Sequence, residues 1–243
     1  MNFRGYLLEL QLNTPERFSG IYPFNIPALI SLETLEFHPS VTYFVGENGM
    51  GKSTLLEAIA IYCGFNAEGG SRNFNFTTKD SHSSLHEHIV LSKGPYAMKD
   101  GFFLRSESFY NVASAIDSLG PEQSFLDNYG GKSLHERSHG ESFWELMTHR
   151  FRGRGLYILD EPESALSVTR QMAMLSRIHR LVAENSQFII ATHSPVVLAY
   201  PDSIIYEFGQ NGIKRVEYKE TEIYNTFKEF INRPEEMLSI LLS

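Results

Sequence analysis

Nine consecutive residues, Gly46-Glu47-Asn48-Gly49-Met50-Gly51-Lys52-Ser53-Thr54, carry the clearest chemistry in this chain. They match G-x-x-x-x-G-K-[ST], in which glycines admit positive φ and let successive main-chain N–H groups turn inward as an anion nest. The lysine adds a point charge and the serine hydroxyl a hard oxygen ligand, so the spacing suits a polyphosphate with a divalent cation. A chance match is the plain alternative, and it arises in about one chain in a hundred of this size. The run lies between a strand pattern and a helix pattern, which makes chance rarer still.

Three further runs fit the same chemistry. Leu156-Tyr157-Ile158-Leu159-Asp160-Glu161-Pro162 ends a buried apolar stretch in two carboxylates, and charges at a strand tip need a partner. Mg²⁺ on the phosphates would supply one: Ser53 and Asp160 would face the metal, and Glu161 would polarise an attacking water. Two solvated strand-end acids are the bland alternative. Ser138-His139-Gly140-Glu141-Ser142 fits a helix start. Ser138 with Glu141 makes a capping box there, and the same exposed N–H groups can bind phosphate. Ala191-Thr192-His193-Ser194-Pro195 puts a histidine at a strand tip, either as a half-buried core residue or as a donor that senses a terminal phosphate.

The elements that must position these residues alternate along the chain. Strand patterns cover Tyr6 to Leu12, Val41 to Val45, Leu156 to Leu159 and Phe188 to Ala191, with strand and loop between Tyr22 and Phe37. Helical spacing covers Lys52 to Tyr62, Gly140 to Phe151 and Val168 to Ala183. A hairpin is expected over Ile204 to Tyr218, turning at Gln210-Asn211-Gly212, then a helix including Thr226 to Ile231 and a last turn restarted by Pro234. From Glu68 to about Gly131 the pattern weakens, with Phe102-Phe103-Leu104 the one firm strand, and reads as a partly helical insertion at about 68–140. The whole predicts a single α/β domain over 1–243: a mostly parallel sheet, helices on its faces, and the ligand at the strand C-terminal ends. The acids of Asp160 and Glu161 are expected on the strand neighbouring the one that leads into the glycine loop.

The totals narrow the partners. The chain has 243 residues, 42% of them apolar, and a formal net charge of -8, which argues against a broad nucleic-acid face without excluding a local basic patch. Its single cysteine, Cys63, cannot form an internal disulfide and reads as a small buried hydrophobe in a reducing compartment. No run is long and apolar enough to span a bilayer and no signal-peptide pattern opens the chain, so a cytoplasmic protein without membrane insertion is expected.

In this order, the four runs resemble the ATP-binding-cassette ATPases of the P-loop class. Gly46 to Thr54 resembles Walker A, Ser138 to Glu141 the signature, Leu156 to Glu161 Walker B, Ser164-Ala165-Leu166-Ser167 the D-loop and His193 the switch histidine. Tyr22-Pro23-Phe24, Gly101 to Arg105 and Ser138 to Phe143 are similar, more narrowly, to small stand-alone bacterial AAA/ABC-type ATPases. The resemblance implies an ABC-like fold with an antiparallel β-subdomain and a small helical subdomain. It also implies ATP bound with Mg²⁺, and a head-to-tail homodimer in which Ser138, His139, Gly140 and Glu141 of one copy cover the nucleotide of the other. Lys52, Glu161 and His193 take the catalytic roles. His139 and Glu141 depart from the signature's glycine and glutamine. No glutamine follows the strand at Gly101 to Leu104, where Ser106 or Glu107 could stand in, and Tyr22 or Phe24 could stack on adenine.

The leading expectation is an ATPase whose opening and closing drives an unidentified protein partner, in DNA maintenance or phage defence. The nucleotide-binding subunit of a membrane transporter, and a nucleotide-gated binding module with little turnover, are the competing classes. His82, His86 and His88, like His135 and His139, approach metal-ligand spacing, but without a cysteine or an H-E-x-x-H pattern they read as a polar face or as nucleotide neighbours. Arg150, Arg152 and Arg154 read as a solvated turn.

Overall fold

The computed structural model describes residues 3–13, 20–72, 83–106, 114 and 139–243. Expectations that rest on His82, Glu107, His135 or Ser138, or on the His139 side chain, lie outside the described residues.

Two sheets organise the chain. A three-stranded antiparallel sheet takes the order β2-β1-β4, from β1 (Leu7–Leu12), β2 (Thr34–Glu36) and β4 (Ile89–Lys93). A six-stranded sheet takes the order β5-β6-β7-β3-β8-β9. Its members are β3 (Val41–Gly46), β5 (Asp100–Arg105), β6 (Gly155–Asp160), β7 (Gln187–Ala191), β8 (Ser203–Gly209) and β9 (Gly212–Val216). β5, β6, β7, β3 and β8 run parallel, and only β9 returns antiparallel, across the expected Gln210-Asn211-Gly212 turn. This is the α/β arrangement expected, with one correction: β6, which carries the two acids, does not neighbour β3, because β7 lies between them.

The central strands are buried on both sides, which is why they read as unbroken apolar runs. Phe44, Leu156, Ile158 and Ile189 join one core, while Tyr43, Val45, Tyr157, Leu159, Phe188 and Ile190 alternate into the other. Helix α2 (Lys52–Tyr62) covers the first face with Leu55, Leu56, Ile59 and Ala60. Helix α4 (Val168–Ala183) covers the second with Met174, Ile178 and Leu181, one apolar stripe at helical spacing. Its first turn is capped by Ser167 Oγ, which accepts from Arg170 N–H at 3.3 Å. Helix α3 (His139–Glu145) runs on as a π-helical turn through Arg150, and Phe143, Leu146 and Met147 are buried as their spacing implied. Cys63 caps α2 in the first core, where burial pushes its thiol up to about 12.

Two short elements were hidden in the sequence. Between Tyr22 and Phe37 the chain forms helix α1 (Pro27–Ile30), with Pro27 at its first position, where a missing N–H costs no intrahelical bond. Strand β4 falls in the weakly patterned stretch because only alternate residues, Ile89 and Leu91, are buried. Its pairing partner, Leu10 against Leu91, is remote in sequence. After β9 come α5 (Glu222–Asn232) and α6 (Pro234–Leu241), close to the expected closing helix and restart. No helix among the described residues is long and apolar enough to cross a membrane.

Side chains stitch the two sheets: the Tyr206 hydroxyl on β8 bonds the main chain of Glu36 on β2, and Gln187 makes more such bonds. Gln187, at the start of β7 and fully buried, accepts the main-chain N–H groups of Tyr6 at 2.8 Å and Leu7 at 2.9 Å. Its amide donates to the carbonyls of Leu7 at 2.8 Å and His38 at 2.9 Å. A buried main-chain group left unpaired costs about 1–3 kcal/mol. Gln187→Leu strands four of them, so urea denaturation of that variant should show a loss of at least about 3 kcal/mol. A loss under about 1 kcal/mol would mean that the two sheets are held together by other contacts.

Candidate active site

The glycine loop is shaped by close approaches that only glycine permits. Gly46 leaves β3 at φ 129°, and a Cβ there would sit 2.2 Å from the Phe208 carbonyl oxygen on β8. Gly51 caps α2 in the left-handed region at φ 90°, where a Cβ would meet Ile26 at 2.9 Å. The loop between them leaves Glu47, Asn48 and Gly49 exposed, with Gly49 also at positive φ, 80°. Lys52, only 4% exposed, folds its ammonium back across this loop and donates to the carbonyls of Gly46 at 2.7 Å and Glu47 at 2.8 Å.

The structure brings the acids to this corner in spite of the intervening strand. Ser53 Oγ donates to Asp160 Oδ1 at 3.0 Å, spanning the end of β7. Beyond Asp160 the chain leaves the sheet abruptly: Glu161 adopts φ 49°, a conformation that costs a side-chain-bearing residue on the order of 1 kcal/mol or more. Ser106, at the end of β5, braces this turn by directing its hydroxyl at the carbonyl oxygens of Asp160 and Glu161, both at 2.8 Å. Glu161 Oε1 lies 3.5 Å from His193 Nε2. His193 occupies the loop after β7, and its Nε2 is shielded from water without a hydrogen-bond partner. Burial, reinforced by the Lys52 charge and opposed by Glu161, moves the imidazole below its ordinary value and favours the neutral ring. Burial likewise lowers Lys52, while Glu161, Asp160 and Glu163 pull it back up.

Residues 20–118 match a family model described as an AAA domain. Residues 127–199 match a second AAA-domain model, whose description adds a candidate AbiEii toxin of a type IV TA system. Protein McbF of Escherichia coli is 23% identical over 224 residues, with 85% of each chain covered. Among solved structures, cbiO1 from Clostridium perfringens, described as part of the ABC transporter complex cbiONQ, is 19% identical. It covers 95% of this chain and 97% of its own at a TM-score of 0.52, a likeness of fold. The two AAA-domain models between them span most of the chain and, with the fold, support membership of the AAA/ABC-type P-loop ATPase family. The fold is that of the ABC ATPases: a mostly parallel sheet with a separate antiparallel one.

Against that family pattern, the remaining expected residues divide. Gly140 and Glu141 lie in α3, Glu141 exposed. A Cβ on Gly140 would sit 2.3 Å from the Ala165 carbonyl, so the signature-like and D-loop-like runs are packed together and the glycine is required for it. Of the two aromatics, Phe24 is buried in the core, against His88, with ring centroids 5.0 Å apart. Tyr22 is 61% exposed, with its hydroxyl 3.5 Å from Thr54 Oγ1, beside the start of α2. Arg150 is engaged by Asp100 at 2.6 Å and is not part of an open basic patch. Among the described residues there is no group of three metal-ligating side chains.

Sequence reasoning passed over Glu163, the third acid of Asp160-Glu161-Pro162-Glu163. Its Oε1 accepts the main-chain N–H of His193 at 2.6 Å, and its Oε2 is buried without a hydrogen-bond partner. Burial raises its carboxyl above the ordinary range; the bonds from His193 N–H, its own main chain and Thr192 oppose that rise, and Glu161 adds to it. A signal was present in a third acid so close to two others.

A carboxyl raised in the folded state gives stability that is full below the ordinary carboxylate range and is lost as pH rises through the raised value. Glu163→Gln removes that titration. Its melting temperature should therefore match wild type in acid and exceed it by a few degrees at pH 8, as read by thermal unfolding across the pH range. A difference that does not change with pH would show that the carboxyl is not destabilised by burial.

Proposed function

We propose that this chain binds ATP with Mg²⁺ and hydrolyses it to ADP and phosphate in a head-to-tail homodimer whose opening and closing drives a protein partner. The observation that carries the reading is the contact of Ser53 Oγ with Asp160 Oδ1 at 3.0 Å, which joins the glycine loop to the strand-tip acids across β7. A hydroxyl and a carboxylate so paired are the hard oxygen donors that Mg²⁺ takes beside a triphosphate, so the residues fit the ion. Bound there, Mg²⁺ would neutralise charge on the phosphate oxygens.

The chain's own groups supply the rest. The N–H groups of Gly49 to Thr54 and the start of α2 receive the phosphates. Lys52 is already held at the loop by two carbonyls, and a bound phosphate would draw its ammonium into a charge-assisted bond. Glu161 orients and polarises the attacking water, and a neutral His193 directs an N–H toward the terminal phosphate. Tyr22 offers an exposed ring to the adenine. Ser138, His139, Gly140 and Glu141 of a second copy would close the site and exclude water, completing an electrostatic cradle that one chain leaves open on one side. The toxin–antitoxin description of the second family model supports a defence setting for the partner more than DNA maintenance. The transporter reading draws on fold likeness alone.

Steady-state phosphate release at several protein concentrations tests this directly, and the rate per chain should rise with concentration. Lys52→Ala should weaken ATP binding at least about tenfold by calorimetry, in line with loss of a charge-assisted contact. Glu161→Gln should still bind ATP but turn over about 100-fold or more slowly, accumulating an ATP-dependent dimer on gel filtration. Wild-type turnover in Glu161→Gln would remove Glu161 from its role, and unchanged affinity in Lys52→Ala would remove the loop from its own.

A further inference from the structure

The parallel ladder between β6 and β7 is interrupted one step short at the active corner. Asp160 pairs with Ala191, and the Glu161 N–H donates to the Ala191 carbonyl at 3.0 Å. In a regular parallel ladder the next bond would run from His193 N–H back to the Glu161 carbonyl. That carbonyl has been turned away by the left-handed Glu161, and it accepts instead from Ser164 N–H at 3.1 Å and Ser106 Oγ at 2.8 Å. The His193 amide is left without its ladder partner, and a shielded N–H left unpaired is costly. Glu163 fills the gap: its Oε1 takes that N–H at 2.6 Å.

We propose that Glu163 is a positioning residue of this site, a side-chain substitute for the missing ladder acceptor that ties the His193 main chain to the Glu161 turn. The inference rests on the ATPase reading for its consequence, although the tie itself is independent of turnover. Two functional groups are joined by it. Glu161 leaves β6 and His193 leaves β7, and each loop departs from its strand at the point where sheet hydrogen bonds stop. The separation of 3.5 Å between Glu161 Oε1 and His193 Nε2 is then set by the short chain Glu161-Pro162-Glu163 and one hydrogen bond. Pro162, buried and with φ fixed by its ring, stiffens the middle of that chain. What the position needs is an acceptor of the right length, since the contact is made by a single oxygen while Oε2 has no partner. A glutamine supplies the same acceptor; leucine fills the space without one, and aspartate falls short by a methylene.

Three variants and two readouts test this. Amide hydrogen exchange at His193, followed by NMR on the full chain, should be slow in wild type and Glu163→Gln and at least about tenfold faster in Glu163→Leu and Glu163→Asp. Phosphate release should stay within about threefold of wild type in Glu163→Gln. In Glu163→Leu and Glu163→Asp it should fall about 10- to 100-fold, the scale of a misplaced catalytic geometry, with ATP affinity within about threefold. Thermal melting confirms that each variant is folded, and Glu163→Asp carries the test if the leucine variant is not. Glu163→Gln as slow as Glu163→Leu, turnover undiminished in Glu163→Asp, or His193 exchange unaltered in both acceptor-poor variants would overturn the proposal. A wild-type chain that releases no phosphate would instead sink the hydrolysis reading, and the exchange comparison would still decide whether Glu163 holds His193.

Discussion

Five parallel strands end at one edge of a sheet buried on both faces, and every polar group released there has to find a partner within a few residues. That constraint gathers the chemistry. Gly46 turns the chain off β3 against Phe208, Ser106 ends β5 and braces the acid turn, Glu161 swings off β6, and His193 follows β7. Each departure satisfies main-chain groups that the ladder no longer can. The same departures aim N–H groups, a hydroxyl, an imidazole and two carboxylates at a common volume.

Charge at this corner is of both signs without being strongly paired. Lys52 is buried close to Glu161, Asp160 and Glu163, but its ammonium hydrogens go to carbonyls of its own loop. A buried cation held by neutral dipoles, with acids at longer range, keeps its charge while remaining able to exchange those dipoles for a stronger anion. His193 is treated in the opposite way. Burial, with the Lys52 charge added, outweighs Glu161, and its Nε2 has no hydrogen-bond partner. Polar groups left incompletely satisfied in this way are costly to the fold, and they concentrate where a ligand would complete them. Stability elsewhere offsets such costs, for instance through Gln187, whose amide spends all its hydrogen-bonding capacity on joining the two sheets.

Much of this could be read from residue order. The glycine run, the acid pair after an apolar strand, and the histidine after the next one could be picked out as strand-end residues because the patterns around them are local. Val168 to Ala183 was legible as a helix because its stripe and its Ser167 cap are both local. Strand β4 was not, since its burial depends on β1, some eighty residues earlier, and neither was Gln187, whose partners sit at the other end of the chain.

Residue types and spacing by themselves determined the class of site, because a phosphate nest, a lysine and a strand-tip acid are short-range requirements that leave a short-range imprint. Only the tertiary structure decided that β7 separates the loop from the acids, that Ser53 nevertheless reaches Asp160, and that Glu163 replaces a ladder bond to His193. Strand order and register depend on which distant segments pair, and pairing is settled by burial on both faces of the sheet, a property no single stretch of the chain contains.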